Sequence, residues 1–229
     1  MIVFEDVSKK FACGTSRASF LAPLEVEAVR DISFEHPPAE CLLVKGPSGA
    51  GKSVLLNLIA GFYSPDKGKV RVNGHNPALS LEFKKNLAVV RCGLHYFDLG
   101  LSARDNLSLL AGWYALSGEE KTQRVEESLQ FIGIDDAARD VPVGELSAGT
   151  VNQLSLAGGL IPSPDFLLLD EPDRYLDEFA FEKVRKLILA LASQGMTLII
   201  ASSSDRLVEN MSYRCLCLQE GKAVDYYAV

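Results

Sequence analysis

The chain has 229 residues, 48% of them hydrophobic and 23% charged, with a net charge of −7, which suits one α/β domain or a core with one sizeable insertion. The acidic balance argues against a surface that neutralises nucleic-acid phosphates, so we expect no nucleic-acid partner. No apolar run approaches the roughly 18–20 residues of a membrane span and no signal peptide opens the chain, so we expect a cytoplasmic protein whose membrane association comes through a partner.

Short strands dominate the first third of the chain. Apolar and alternating runs predict strands at residues 2–7, 28–35, 41–44 and 69–72. Residues 12–27 lack periodicity and are predicted to form a loop. The run at residues 41–44 is apolar throughout, which is typical of a strand buried on both faces.

A glycine-rich turn follows the strand at residues 41–44 and leads into a helix. The turn reads Gly-Pro-Ser-Gly-Ala-Gly-Lys-Ser at residues 46–53, which is the spacing of a phosphate-binding P-loop. Its glycines permit a tight turn whose N–H groups point at an anion, and the helix N-terminus adds a positive dipole end. Lys52 places a charge on the outer phosphates, and the Ser53 hydroxyl can ligate magnesium. The segment therefore predicts a nucleoside triphosphate site.

The middle of the chain is helical, and the last third alternates helices with strands. Further strands are predicted at residues 87–90, 166–169 and 198–201, and helices between residues 103 and 138, after residue 146 and at residues 179–192. Alternation of this kind indicates a parallel sheet covered on both faces. The helical stretch then forms an insertion into the α/β core.

Two carboxylates, Asp170 and Glu171, end the apolar strand at residues 166–169. Asp170 can hold magnesium through its waters, and Glu171 can orient or deprotonate a water that attacks the γ-phosphate. A strand that merely exits into an acidic turn is the alternative, and the P-loop makes it the minor one. The pattern predicts nucleotide hydrolysis with Lys52, Asp170 and Glu171 as the catalytic residues.

Two short segments flank the acidic strand: Leu-Ser-Ala-Gly-Thr at residues 146–150 precedes it, and Tyr-Leu-Asp at residues 175–177 follows it. In order and spacing, these segments, the P-loop, the helical stretch and the two carboxylates resemble the ATP-binding cassette (ABC) ATPases over nearly the whole chain. The resemblance implies an α/β fold. It consists of a P-loop (RecA-like) core, an N-terminal antiparallel β-subdomain and an inserted α-helical subdomain.

The resemblance also implies a domain plan. A single ABC ATPase domain would span residues 1–229. Its nucleotide-binding core with the β-subdomain would take about residues 1–90 and 150–229. The helical subdomain would take about residues 91–149 and end in the Leu-Ser-Ala-Gly-Thr segment, which is the signature segment of the family.

A site, cofactors and partners follow from the resemblance as well. It implies ATP and Mg²⁺, with Ser53 and Asp170 holding the metal and Glu171 as the catalytic carboxylate. Two chains, alike or different, would sandwich ATP head to tail, and transmembrane transporter subunits would be driven by their closing and opening. The residues implied to contact ATP are Phe11 (on adenine), Gly46, Pro47, Ser48, Gly49, Ala50, Gly51, Lys52, Ser53, Val54 and, from the second subunit, Ser147 and Gly149.

The chain departs from the family pattern at positions that tune hydrolysis. The departures are Val54 in place of a hydroxyl residue, Gly93 or His95 in place of a glutamine, Ala148 and Thr150 in the signature, and Ser203 or Ser204 in place of a histidine. Serine lacks the reach and the titratable charge of histidine. We expect the chain to be the ATPase subunit of a membrane transporter. Reduced ATPase activity would follow from these departures.

Two alternatives stay open. One is a regulatory or mechanical ABC subunit that clamps ATP, hydrolyses it weakly and has no transport stroke of its own. The other is a soluble ABC ATPase of DNA repair or translation, against which the length and the acidic charge both count.

Overall fold

The computed structural model of the protein describes residues 1–13, 24–91, 96–174 and 176–229. Strands and helices alternate along most of these ranges. In chain order the elements are β1 (Ile2–Cys13), β2 (Leu24–His36), β3 (Cys41–Lys45), α1 (Lys52–Ile59), β4 (Lys67–Val72), α2 (Leu81–Lys85), β5 (Leu87–Arg91), α3 (Ala103–Trp113), α4 (Gly118–Phe131), α5 (Asp136–Arg139), α6 (Ala148–Leu160), β6 (Phe166–Asp170), α7 (Glu178–Ser193), β7 (Thr197–Ser202), β8 (Tyr213–Gln219) and β9 (Lys222–Ala228).

A central sheet has the strand order β5-β6-β7-β3-β8-β9. Its first five strands are parallel, and β9 pairs with β8 in the antiparallel sense. The parallel sheet is therefore confirmed. Its register aligns Lys45 with Ser202, and Arg91 with Asp170. The carboxyl ends of β3, β5, β6 and β7 consequently lie at one edge of the sheet, where α/β proteins bind ligands.

Strands β1, β2 and β4 form a second, antiparallel sheet in the order β2-β1-β4. The loop predicted at residues 12–27 is wrong for its two ends, because Cys13 pairs with Leu24 and Phe11 with Val26. Register shifts interrupt β1 between Phe4 and Lys10. Shifts of this kind break the period-2 alternation by which a strand is recognised in sequence. Residues 14–23 lie outside the described ranges.

The core has two parts, one on each face of the central sheet. Leu42, Val44 and Ile199 point toward α1 and the antiparallel sheet, and all three are fully buried. Leu43 and Ile200 point to the opposite face, where α3, α4, α6 and α7 cover them. Successive strand residues face opposite sides, so only a continuous apolar run can fill both parts. Each such side chain contributes about 1.5–3 kcal/mol through its burial.

The helices between β5 and β6 include α3, α4 and α5, which account for the helical periodicity predicted between residues 103 and 138. Ser102 caps α3 by accepting a hydrogen bond from the Asp105 N–H, and Ser147 caps α6 from the Thr150 N–H. Caps of this type satisfy an N–H group that has no partner within the helix. Across the described residues, no helix combines the length and apolar character needed to cross a bilayer.

Candidate functional site

The P-loop (residues 46–53) connects β3 to α1 at the carboxyl edge of the central sheet. Gly49 and Gly51 have φ angles of 80° and 101°, a region that glycine enters without strain. A Cβ atom on Gly51 would lie 2.3 Å from the Ala28 carbonyl oxygen, so a side chain there would clash with the backbone. No described side chain caps α1. Its first N–H groups are therefore suited to an anion.

Lys52 is buried inside this turn, with 4% of its surface exposed. Its Nζ donates hydrogen bonds to the carbonyl oxygens of Gly46 and Pro47, at 2.9 and 3.1 Å. The same atom lies 3.5 Å from Glu171 Oε1. A buried ammonium group requires partners of this kind. They hold the positive charge between the P-loop and the acidic strand.

Ser53 and Asp170 bring two oxygen ligands together at the mouth of the P-loop. The Ser53 hydroxyl donates to Asp170 Oδ1 at 2.9 Å. Burial raises the pKa of Asp170, while the Ser53 hydrogen bond and the charge of Arg91 oppose that shift. Mg²⁺ binds hard oxygen ligands such as these. A cation at this position would offset the cost of burying the Asp170 carboxylate. The pair therefore fits the predicted metal.

Glu171 follows β6 in an uncommon backbone conformation, with a φ angle of 50°. Its N–H donates to the Ala201 carbonyl oxygen at 2.9 Å, which anchors the turn to β7. Its carboxylate accepts a hydrogen bond from Arg174 Nη1 at 2.9 Å and also faces Lys52. A non-glycine residue at positive φ is costly and is held in place by surrounding contacts, often at functional sites.

These groups line one cleft with a volume of about 410 Å³, which lies within the range of small-molecule sites. Five of the predicted P-loop residues line it directly, namely Ser48, Gly49, Gly51, Lys52 and Ser53, and so does Val54. The other predicted P-loop residues, Gly46, Pro47 and Ala50, stabilise the turn and do not line the cleft. The Gly46 and Pro47 carbonyl oxygens accept hydrogen bonds from Lys52, and the Ala50 N–H donates to the Pro47 carbonyl oxygen.

Two arginines of the cleft, Arg91 and Arg174, were missed by the sequence reasoning. Arg91 is the last residue of β5, and its Nε lies 3.9 Å from Asp170 Oδ2. Arg174 follows the two carboxylates in the chain and pairs with Glu171. A signal was present in both cases, because Arg91 directly follows the predicted strand at residues 87–90, and Arg174 follows the two carboxylates that were predicted to lie beside the P-loop.

Three predicted site residues lie apart from the cleft. Phe11 lies on β1, with its ring edge-on to Tyr63 at a centroid distance of 5.3 Å. Ser147 is exposed at the N-terminus of α6. Gly149 packs so closely on α7 that a Cβ would lie 2.6 Å from the Ala180 Cβ. Within one chain, therefore, none of the three lines the cleft with the P-loop.

The serines that replace the expected histidine follow β7. Ser202 is fully buried, and its hydroxyl donates to Asp173 Oδ2 at 2.8 Å. The Ser204 N–H donates to Ser202 Oγ at 3.1 Å. Ser203 is exposed, and neither Ser203 nor Ser204 is among the residues that line the cleft. Gly93 and His95, the candidates for the missing glutamine, lie outside the described residues, as does Tyr175.

Comparison with known proteins gives consistent matches over the chain. The family model described as ABC transporter matches residues 29–174. The taurine import ATP-binding protein TauB of Pseudomonas aeruginosa is 38% identical over 182 residues, which cover 78% of this chain and 67% of that protein. The cell division ATP-binding protein FtsE of Escherichia coli is 29% identical over 225 residues, which cover 96% of each.

Among solved structures, the chain is similar to a dimeric, post-hydrolysis state of the ATP-binding cassette MJ0796 bound to ADP and Pi. The TM-score is 0.83 at 22% identity, and the match covers 99% of this chain and 98% of that one. At this identity the likeness concerns the fold alone. It confirms the predicted α/β fold with an antiparallel β-subdomain.

Proposed function

The chain belongs to the ABC transporter family, and we propose that it is the ATP-binding and ATP-hydrolysing subunit of a membrane transporter. The observation that carries the proposal is the single cleft in which the P-loop and Lys52 meet Asp170 and Glu171. Relatives with an import or cell-division role carry the words ATP-binding in their names. Nucleotide-driven dimerisation would then power the transport step.

In this proposal the P-loop binds the phosphates of ATP. Its N–H groups and the N-terminus of α1 face the anion, as at other phosphate sites. Lys52 would exchange its bonds to the Gly46 and Pro47 carbonyls for bonds to the outer phosphate oxygens. Ser53 and Asp170 would hold Mg²⁺, which neutralises charge on the phosphates. The exchange favours the nucleotide complex, because the ammonium group then meets an ionised acceptor in place of a neutral carbonyl oxygen.

Glu171 would position the attacking water and accept its proton. Its contacts with Lys52 and Arg174 support this, since they hold the carboxylate at the cleft. To act as a base it must leave at least one of these partners when the phosphates enter. Binding of the phosphates would thereby release the Glu171 carboxylate to act as a base.

A second ABC subunit would complete the site head to tail. Support comes from Ser147 and Gly149, which stand at the N-terminus of α6 and away from the cleft of their own chain. A helix N-terminus favours a phosphate by its dipole and its free N–H groups. In the proposed dimer, α6 of one chain points at ATP bound by the other.

A transmembrane subunit is the proposed membrane partner. It would hold the chain on the inner face of the membrane. An apolar groove of about 360 Å³ between β5, α3 and α6 supports this. Large apolar residues at its rim are exposed, with Trp113 at 80%, Tyr96 at 57% and Leu109 at 51%. Contiguous apolar surface of this kind is typical of protein interfaces.

A second candidate is a regulatory or mechanical subunit that clamps ATP and hydrolyses it weakly. The arrangement after β7 favours it, because Ser202 is engaged with Asp173, and Ser203 and Ser204 do not line the cleft. In both candidates ATP binds in the same cleft. They differ in turnover and in the presence of a transport substrate.

The proposal is tested by extracting the tagged chain from its native membranes and identifying what copurifies. We expect a multi-span subunit, with ATP hydrolysis that requires Mg²⁺ and depends on that partner. The double variant Leu109→Ala/Trp113→Ala should lose the partner at unchanged ATP affinity. Phe179→Ala, which removes an equally exposed aromatic ring from α7 (72% exposed), is the matched control. Recovery of the chain without any membrane subunit would contradict the transporter assignment.

A further inference from the structure

Arg91 is a cleft residue whose positive charge lies beside Asp170, a proposed metal ligand. It ends β5 in register with Asp170, and its Nε lies 3.9 Å from Asp170 Oδ2. Its Nη2 donates a hydrogen bond to Asn57 Oδ1 on α1, the helix that follows the P-loop. The side chain is 41% exposed and lines the cleft with Lys52 and Ser53. It is thus tethered on both sides while it faces the ligand space.

We propose that Arg91 is a nucleotide-binding residue that takes over part of the charge neutralisation otherwise supplied by Mg²⁺. The inference rests on the proposed function, because it assumes that the cleft binds ATP. Its consequence is a nucleotide complex that depends only weakly on the metal. Arg91 contributes to binding and is not assigned a step in hydrolysis.

The chemistry of the guanidinium group supports this role. Arginine stays charged at all accessible pH values and presents five N–H donors in a planar fork that matches phosphate oxygens. Among described residues, the contacts with Asn57 and Asp170 use only part of that set. As far as the described residues are concerned, the group therefore has donors left for a phosphate that enters beside Ser53.

The charges that line the cleft point the same way. Lys52, Arg91 and Arg174 are cationic, and Asp170 and Glu171 are anionic, so the lining carries an excess of one positive charge. A cation beside Asp170 attracts the phosphates of ATP, and it repels a metal ion that seeks the same carboxylate. Arg91 should hence favour metal-free nucleotide and disfavour the metal.

Removal of the Arg91 charge should change the affinities for ATP and for the divalent cation in opposite directions. Arg91→Gln should lower the affinity for ATP in EDTA by roughly tenfold or more, the effect of one charge-assisted bond. It should also raise the affinity of the nucleotide complex for a divalent cation severalfold. A purely structural role of Arg91 at the end of β5 would weaken both affinities together.

The experiment uses the full chain, a fluorescent ATP analogue titrated in EDTA and in excess Mg²⁺, and Mn²⁺ titrated by electron paramagnetic resonance. For the parent chain we expect the two analogue affinities to agree within about threefold. Arg91→Lys should stay close to the parent, because it keeps the charge. Arg174→Gln is the matched control, since it removes an equal charge that pairs with Glu171 and should leave Mn²⁺ affinity nearly unchanged. Asn57→Ala removes the tether but not the charge.

The outcomes separate this inference from the proposed function. A parent chain that binds the analogue in neither condition would overturn both. A parent chain that binds only with Mg²⁺, or an Arg91→Gln variant whose two affinities fall together or stay unchanged, would overturn the role of Arg91 alone. Opposite changes in Arg91→Gln that are absent from Arg174→Gln would support it.

Discussion

Two adjacent strand ends at the same edge of the central sheet are built in opposite ways. The segment after β3 is the P-loop, with positive-φ glycines and a helix that no described side chain caps. The segment after β7 is a serine-rich turn whose own side chains satisfy its backbone. Lys45 at the end of β3 aligns with Ser202 at the end of β7, so the two segments begin side by side.

The difference lies in what satisfies the polar groups. In the P-loop, the N–H groups at the helix N-terminus remain available to an anion. Lys52 donates hydrogen bonds to backbone carbonyls, and it can exchange these bonds for bonds to a ligand. After β7, the Ser204 N–H is already bound by Ser202, and Ser202 by Asp173. Serine hydroxyls are short and bond to nearby backbone. The segment after β3 is therefore suited to bind a ligand, whereas polar groups of the segment after β7 already have hydrogen-bond partners within the chain.

The largest expected effect concerns Glu171, which contacts Lys52 of the P-loop and Ala201 of β7. Glu171→Gln keeps the side-chain shape and removes the base, so ATP should still bind while turnover falls by roughly 10²-fold or more, about 2.7 kcal/mol of barrier. ATP-bound dimers should accumulate and can be detected by gel filtration. Unchanged steady-state hydrolysis would show that Glu171 is not the water-positioning residue.

The second prediction concerns the P-loop cation. Lys52→Ala removes a charge-assisted contact worth about 1.5–3 kcal/mol, so the affinity for ATP should fall roughly tenfold or more. Lys45→Ala is the control, because Lys45 pairs with Asp205 at 2.7 Å and does not line the cleft. Fluorescent nucleotide titration, with a melting curve for each variant, measures the effect. Equal affinity in Lys52→Ala and the parent chain would refute the P-loop assignment.

The two segments also show what could be predicted from sequence. The P-loop is local: an apolar strand, a glycine turn and a helix follow one another within about twenty residues, so a pattern of residue types suffices. The acidic end of β6 was predicted for the same reason. The parallel sheet followed from the alternation of helices and strands, and the strand order required the structure.

The contacts that the sequence did not reveal join distant residues. Ser202 and Asp173 are 29 residues apart, and Arg91 and Asn57 are 34 apart. Their meeting depends on which strands are neighbours and on side-chain rotamers, and no pattern of hydrophobicity encodes either. Residues 24–27 alternate regularly, but their pairing with the end of β1 was missed because the register shifts hide the part of β1 beyond Val7 with which they pair.

A third prediction tests whether the serine-rich segment after β7 lowers the rate of ATP hydrolysis. Restoring histidine as Ser203→His or Ser204→His should raise turnover roughly tenfold, about 1.4 kcal/mol, if an imidazole reaches the γ-phosphate and stabilises transition-state charge. Both single variants are needed, because the matching position is ambiguous by one residue. Turnover is measured with the membrane partner present. If neither variant is faster, the serines do not limit the rate, and the missing glutamine near Gly93 becomes the next position to test.

The last prediction concerns stability, at the hydrogen bond between Ser202 and Asp173 at the end of β7. Ser202→Ala removes a buried hydroxyl and leaves Asp173 without the bond that it accepts at 2.8 Å. A lost hydrogen bond to a charged group costs about 1.5–3 kcal/mol. At roughly 2–4 °C per kcal/mol for a chain of this size, the melting temperature should fall by several degrees. Ser203→Ala, one residue further along and exposed, should stay within about 0.5 kcal/mol of the parent. Equal melting temperatures for the two variants would mean that Ser202 does not hold the segment after β7 in place. The ion pair between Lys45 and Asp205 would then be the contact that distinguishes this segment from the P-loop.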